Sequence, residues 1–98
     1  MINTVLPNEL IGANYKGHAI RSTVNLLVEA IGIEPSKYTS DLCEWYLQSN
    51  DLKFYLYCYR YPKKLGWDDV VWFRIGTYTN NDSIYAKDII IDLLKKSY

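Results

Sequence analysis

A single histidine, two separated cysteines and no glycine-rich loop leave this chain short of the parts from which most active sites are made. His18 stands beside Gly17 with no second imidazole in the chain, so a His-based metal set is excluded, and Cys43 and Cys58 lack metal-ligand spacing. No serine or cysteine sits in a motif that would activate it as a nucleophile, and nothing matches a phosphate-cradling loop. Asp68–Asp69 and Asp88/Asp92 are the only carboxylate pairs of note, and they read as a loop pair and a solvated helix face. The expectation is a protein that is not an enzyme and carries no cofactor or metal.

Charge of one sign is missing as well. Eleven basic residues balance eleven acidic ones, so there is no cationic surplus of the kind that drives counterion release from nucleic acid. No apolar run approaches a membrane span. The first fifteen residues lack a basic segment followed by an apolar one, so they do not read as a secretory signal. These absences predict a single soluble domain over residues 1–98, located in the cytoplasm. In that compartment Cys43 and Cys58 are expected as reduced, buried thiols.

What the chain has is aromatic side chains: ten Tyr, three Trp and two Phe, 15% of the sequence. A core built for stability alone favours Leu, Ile, Val and Phe. Tyrosine needs a partner for its hydroxyl when buried, and it collects at boundaries and interfaces.

The hydrophobic pattern orders these residues. Ile20, Val24, Leu27, Val28 and Ile31 recur at helical spacing, which predicts a helix over His18–Ile31 stopped by Gly32 and Pro35. Residues 1–16 read as irregular, with Ile2–Leu6 as a short strand at most. Leu42–Gln48 and Leu52–Tyr61 read as strands joined by a turn at Asn50–Asp51. Residues whose numbers sum to 101 then face each other, so Leu47 meets Phe54, Trp45 meets Leu56, Cys43 meets Cys58 and Tyr46 meets Tyr55. A one-residue slip would mix the faces. A competing pattern makes Ser40–Gln48 a helix with Leu42, Trp45 and Tyr46 on one side. After the loop Pro62–Asp69, a third strand over Val70–Tyr78 follows. A last helix over Ile84–Lys96 is capped by Asp82 or Ser83.

The predicted fold is therefore α+β: helix, three-stranded antiparallel meander, helix, with both helices on one sheet face. Cys43, Leu47, Phe54, Leu56, Val71, Phe73 and Ile75 form the core side. This order over residues 18–98 resembles the double-stranded RNA-binding domain, with Asn25-Leu26-Leu27 through Pro35 and Tyr38 similar to that family's first helix and following loop. The family's Gly-Pro-x-His loop is absent, and Ser83–Lys87 stands where its lysine cluster would be. Those features make the RNA contacts, so no RNA-binding residue is carried across.

The other sheet face is the candidate site. Tyr46, Tyr55, Tyr57, Tyr59, Trp72, Arg74 and Tyr78 fall on it, together with Glu44 and Lys53. Tyr, Trp and Arg are the types enriched at binding hot spots. The leading expectation is a small protein-binding module of the inhibitor type, as in toxin immunity or phage anti-defence, with another protein as its partner. Two alternatives use the same face: a second copy of the chain, or single-stranded nucleic acid stacked on Tyr55, Tyr57, Tyr59 and Trp72 beside Lys53, Arg60, Lys63, Lys64 and Arg74. A plainer arrangement has residues 1–16 or the 62–69 loop covering the face, or the tyrosines simply pairing across strands.

Overall fold

Alternation of apolar and polar residues puts the turn at Asn50 and Asp51, and a computed structural model of the chain, describing residues 2–60 and 64–97, has it there. Strand β4 (Leu42–Ser49) and strand β5 (Leu52–Tyr59) pair antiparallel in the register Cys43↔Cys58, Trp45↔Leu56 and Leu47↔Phe54. Asn50 carries the positive φ of 55° that the tight turn needs, a conformation asparagine tolerates better than most residues. The reading of 40–48 as a helix is thereby overturned: the period in this stretch is two. Strand β6 (Val71–Thr77) completes the meander beside β5.

The sheet is larger than three strands. Its order is β1-β4-β5-β6-β2, with β3 (Lys37–Tyr38) paired to β4 as a sixth strand. Strand β1 is Ile2–Thr4 and lies against β4. Strand β2 is Asn14–Ser22 and lies against β6. The predicted helix over His18–Ile31 is therefore too long at its start: residues 18–22 are strand, and helix α1 spans Val24–Ile31. Ile20 fits both periods, because it precedes Val24 by four residues and Ser22 by two. Ile20 and Ser22 are buried while Arg21 is exposed, which is the strand pattern. Thr23 marks the true boundary, its hydroxyl accepting the Leu26 N–H at 3.0 Å. Gly17, with φ of 95°, sits in the bulge between Tyr15 and Ala19. With β2 at one edge of the sheet and β1 and β3 beside β4, the arrangement departs from helix–three strands–helix.

Helix α2 spans Asn80–Lys96. Its N-cap lies three residues before Asp82 and four before Ser83: Thr79 accepts the Asp82 N–H at 3.1 Å. Ser83 is instead buried, 2.5 Å from the Thr77 hydroxyl. Both helices pack on one face. Val24 and Leu27 of α1 and Ala86, Ile90 and Leu94 of α2 share a cluster with Cys43, Trp45, Leu47, Phe54, Leu56, Phe73 and Ile75 of the sheet. Trp45 packs edge-on against Phe73 and donates its indole N–H to the Ile33 carbonyl at 2.9 Å. Cys43 and Cys58 are free and buried; burial, more than the neighbouring thiol or Glu44, pushes the Cys43 thiol up to about 12.

Candidate functional site on the outer sheet face

The outer face begins with strand alternation. Tyr55, Tyr57 and Tyr59 occur at every second position of β5, so all three rings rise from one side. Tyr55 and Tyr57 stack at 5.0 Å between ring centroids, Tyr57 and Tyr59 follow at 5.3 Å, and Tyr46 joins from β4 at 6.1 Å from Tyr55. Four of the expected site residues thus form one continuous row of rings. Glu44, itself buried, lies beneath it and accepts from the Tyr46 hydroxyl at 2.8 Å and from the Tyr59 hydroxyl at 2.9 Å. Burial and then the adjacent carboxylate push the Tyr46 phenol up to about 12, and the same two causes raise the Tyr59 phenol.

Chain 5–13 divides this face in two. After β1 the Val5 N–H bonds the Tyr46 carbonyl at 3.0 Å, and a single 3-10 turn over Pro7–Leu10 carries the chain across the sheet. Leu10 is buried although it is not part of the main core cluster. Tyr55 donates to the Ala13 carbonyl at 3.3 Å. Tyr78 shares its hydroxyl between the carbonyls of Glu9, at 3.0 Å, and Ile11, at 2.9 Å. Lys53 pairs with Glu9 at 3.2 Å. Tyr78, expected among the partner-binding residues, is therefore part of the anchor for this segment. Opposite Tyr55 stands Gly76, where a Cβ would collide with the phenol ring; only glycine lets Tyr55 lie flat on β6.

The other half is open. Trp72 and Tyr59 are each 59% exposed. Arg74, also exposed, holds its guanidinium 5.0 Å above the Tyr15 ring. Between β5 and β6 lies a groove of about 480 Å³ lined by Tyr57, Tyr59, Arg60, Val70, Trp72 and Arg74 among others. The groove exists because the strands part. Their pairing runs only from Tyr55↔Gly76 to Tyr57↔Arg74, and the next positions in register, Cys58 with Phe73 and Tyr59 with Trp72, are not paired. Past the gap Arg60 keeps to the β4 side, its N–H bonding the Asp41 carbonyl at 2.7 Å in continuation of the β4–β5 register, and Leu65 is buried in the core.

Of the basic residues considered for nucleic acid, Arg60 and Arg74 line the groove and Lys64 is exposed. Lys53 is engaged by Glu9 in the covered half, and Lys63 lies outside the described residues, as do Tyr61 and Pro62. Tyr15 was not anticipated. Its signal was the alternation of Asn14–Ser22 across a bulged glycine, hidden by the helical spacing that begins at Ile20. Acidic residues gather elsewhere: Asp51, Asp82, Asp88 and Asp92 surround Tyr85 and Ile89 in a depression of about 570 Å³ between the β4–β5 turn and α2. The balanced total charge thus conceals a division between a basic, aromatic groove and an acidic one.

His18 bonds Asn80 at 2.9 Å. Among the described residues no three His, Cys, Asp or Glu side chains converge to hold a metal ion, and no helix is long and apolar enough to cross a membrane. Comparison with family models, with curated proteins and with solved structures gives no match.

Proposed function

We propose that the chain is a non-enzymatic protein-binding module of the small-inhibitor type, docking its partner on the open half of the outer face. The observation that carries this is the exposure of Trp72 and Tyr59 on either side of a groove that also holds two arginines. Elsewhere on the same face Tyr55 and Tyr78 are tied by their hydroxyls to the chain's own residues 9–13. A large, rigid aromatic left in water beside guanidinium groups is the composition of a hot spot. Within this reading Tyr59, Trp72 and Arg74 make the contact, the buried Tyr57 supports them with Tyr46 and Tyr55, and Tyr78 holds the segment that shields the rest.

Affinity capture from a native lysate tests this, with the wild type run beside Trp72→Ala. A protein retained by the first and lost from the second supports the docking reading. Equal retention by two folded proteins sinks it. A dimer seen by light scattering that Trp72→Ala dissolves, with nothing else retained, assigns the face to self-association. One observation favours a second reading: two exposed ring planes beside two guanidinium groups could also stack and neutralise single-stranded nucleic acid. Salt-sensitive retention of a labelled oligothymidylate would mark that case.

A further inference from the structure

We infer that the gap between β5 and β6 is a carboxylate-recognition site, built to take an acidic side chain from an extended peptide segment of the partner. This rests on the protein-docking reading and names the chemistry that the partner must present. Three observations converge.

The first is main-chain geometry. Residues of an antiparallel strand direct their N–H and C=O groups alternately to the two neighbours. The Arg60 N–H bonds Asp41, so the even-numbered residues of β5 face β4. The odd-numbered ones face β6, in keeping with the pairs Tyr55↔Gly76 and Tyr57↔Arg74. By the same register Tyr59 and Trp72 direct their main-chain groups into the gap, where the ladder has ended. Main-chain groups at an unpaired strand edge are open to an added strand. They include donors and acceptors together, which suits a peptide backbone; a phosphate offers acceptors alone.

The second is charge. Arg60 and Arg74 both line the gap. Among the described residues neither has a carboxylate within ion-pair distance. Glu44 lies beneath the same face, but its two oxygens are taken by the Tyr46 and Tyr59 hydroxyls. Asp69, just before β6, turns back to the Gly66 N–H at 2.8 Å. Arg74 is held over the Tyr15 ring at 5.0 Å, and a guanidinium fixed in place can engage a carboxylate in two parallel bonds. The third is enclosure. Tyr59 and Trp72 flank the opening, so a residue beside the acid would pack on an aromatic wall while the ion pair loses part of its water. Among the described residues the groove itself is lined by two arginines and no lysine, which suits one carboxylate better than a run of phosphates.

The probe is an acetylated, amidated peptide alternating Val and Asp, titrated into the folded protein and followed through its backbone and indole N–H resonances. We expect the Tyr59 and Trp72 amides to move first. The counterpart alternating Val and Asn should bind about tenfold more weakly or worse, and Arg74→Gln or Arg60→Gln should each weaken the acidic peptide by about the same factor. Circular dichroism establishes that both variants fold. Equal binding of the Asp and Asn peptides overturns the proposal, as does movement of these resonances by oligothymidylate and not by the peptide. Silence of both amides overturns it too. A lysate partner that is still lost from Trp72→Ala would then leave the docking reading standing without its carboxylate site.

Discussion

At the Tyr55 end of the outer face the rings have been given partners: Tyr55 and Tyr78 donate to main-chain carbonyls of residues 9–13, and Leu10 is buried above the sheet. At the Trp72 end the same residue types stand in water, with the strands apart and two arginines between them. Composition does not separate these halves, since both are tyrosine-rich strand surface. What separates them is whether a local stretch of chain is long enough to reach. Residues 5–13 leave β1 at one edge and enter β2 at the other, so they must cross the sheet, and they cross it beside Tyr55 and Tyr78. A face covered by its own chain contributes to folding; a face left open costs apolar exposure, which a monomer ordinarily avoids over a contiguous patch.

The largest expected effect breaks the covered half from below. Gly76→Ala places a methyl group in the Tyr55 ring, and overpacking of this kind costs about 1–3 kcal/mol. Urea unfolding would read the loss, whereas Trp72→Ala in the open half should stay within about 0.5 kcal/mol of wild type. Comparable losses at the two positions would mean that the halves are not different in kind. Next in size is Tyr78→Phe, which removes the donor shared by the Glu9 and Ile11 carbonyls. It should cost about 1 kcal/mol and speed amide exchange in residues 7–13 with little change in β4–β5. Unchanged exchange there would show that Leu10 alone holds the segment.

How much of this contrast could be read from the residues differs between the two faces. The core side was legible because β4 and β5 alternate cleanly and a slip of register is penalised at every position; Cys43↔Cys58 and Leu47↔Phe54 follow from that alone. The division of the outer side was not. It depends on β2 being a strand, and Ile20, Val24 and Leu27 satisfy helical spacing so well that the strand pattern of Ile20 and Ser22 is masked. It depends also on Tyr78 choosing carbonyls in residues 9–11, a contact across more than sixty positions that no periodicity announces. The opening of the gap is less legible still. It accompanies two contacts that no periodicity announces, Leu65 entering the core and the bond from Arg60 to Asp41.

Alkali should act where the two halves meet. An unfolded tyrosine titrates near 10, and in the folded protein burial followed by the Glu44 carboxylate holds Tyr46 up to about 12. The folded state therefore keeps the proton more tightly. Its stabilising contribution is full below pH 10 and declines as pH rises through about 12. Tyr59 is shifted in the same direction by the same causes. The urea midpoint should fall across this window in the wild type, and fall less in Tyr46→Phe. Identical declines in the two proteins would place the alkaline loss elsewhere, outside the Tyr46–Glu44–Tyr59 cluster.

The smallest expected effect asks whether charge holds residues 5–13 in place. Lys53 and Glu9 are 3.2 Å apart, but each side chain is more than a third exposed, and an ion pair in water contributes little. Glu9 has a second partner, the Leu6 N–H at 2.9 Å. That backbone bond, ahead of the neighbouring lysine, holds the Glu9 carboxyl below its ordinary value. Lys53→Met should leave the melting temperature unaltered, and the Glu9 titration, followed by its side-chain carbon resonance, should rise only part of the way to the ordinary value. Complete return to that value would mean that the ion pair and not the turn sets the carboxylate, and high salt would then be expected to loosen the segment. If the partial rise is found, the cover over Tyr55 is fastened by main-chain acceptors, two tyrosine hydroxyls and one buried leucine. Salt would then weaken binding at the arginine-lined gap while leaving the covered half closed, so the two halves could be told apart in a single titration.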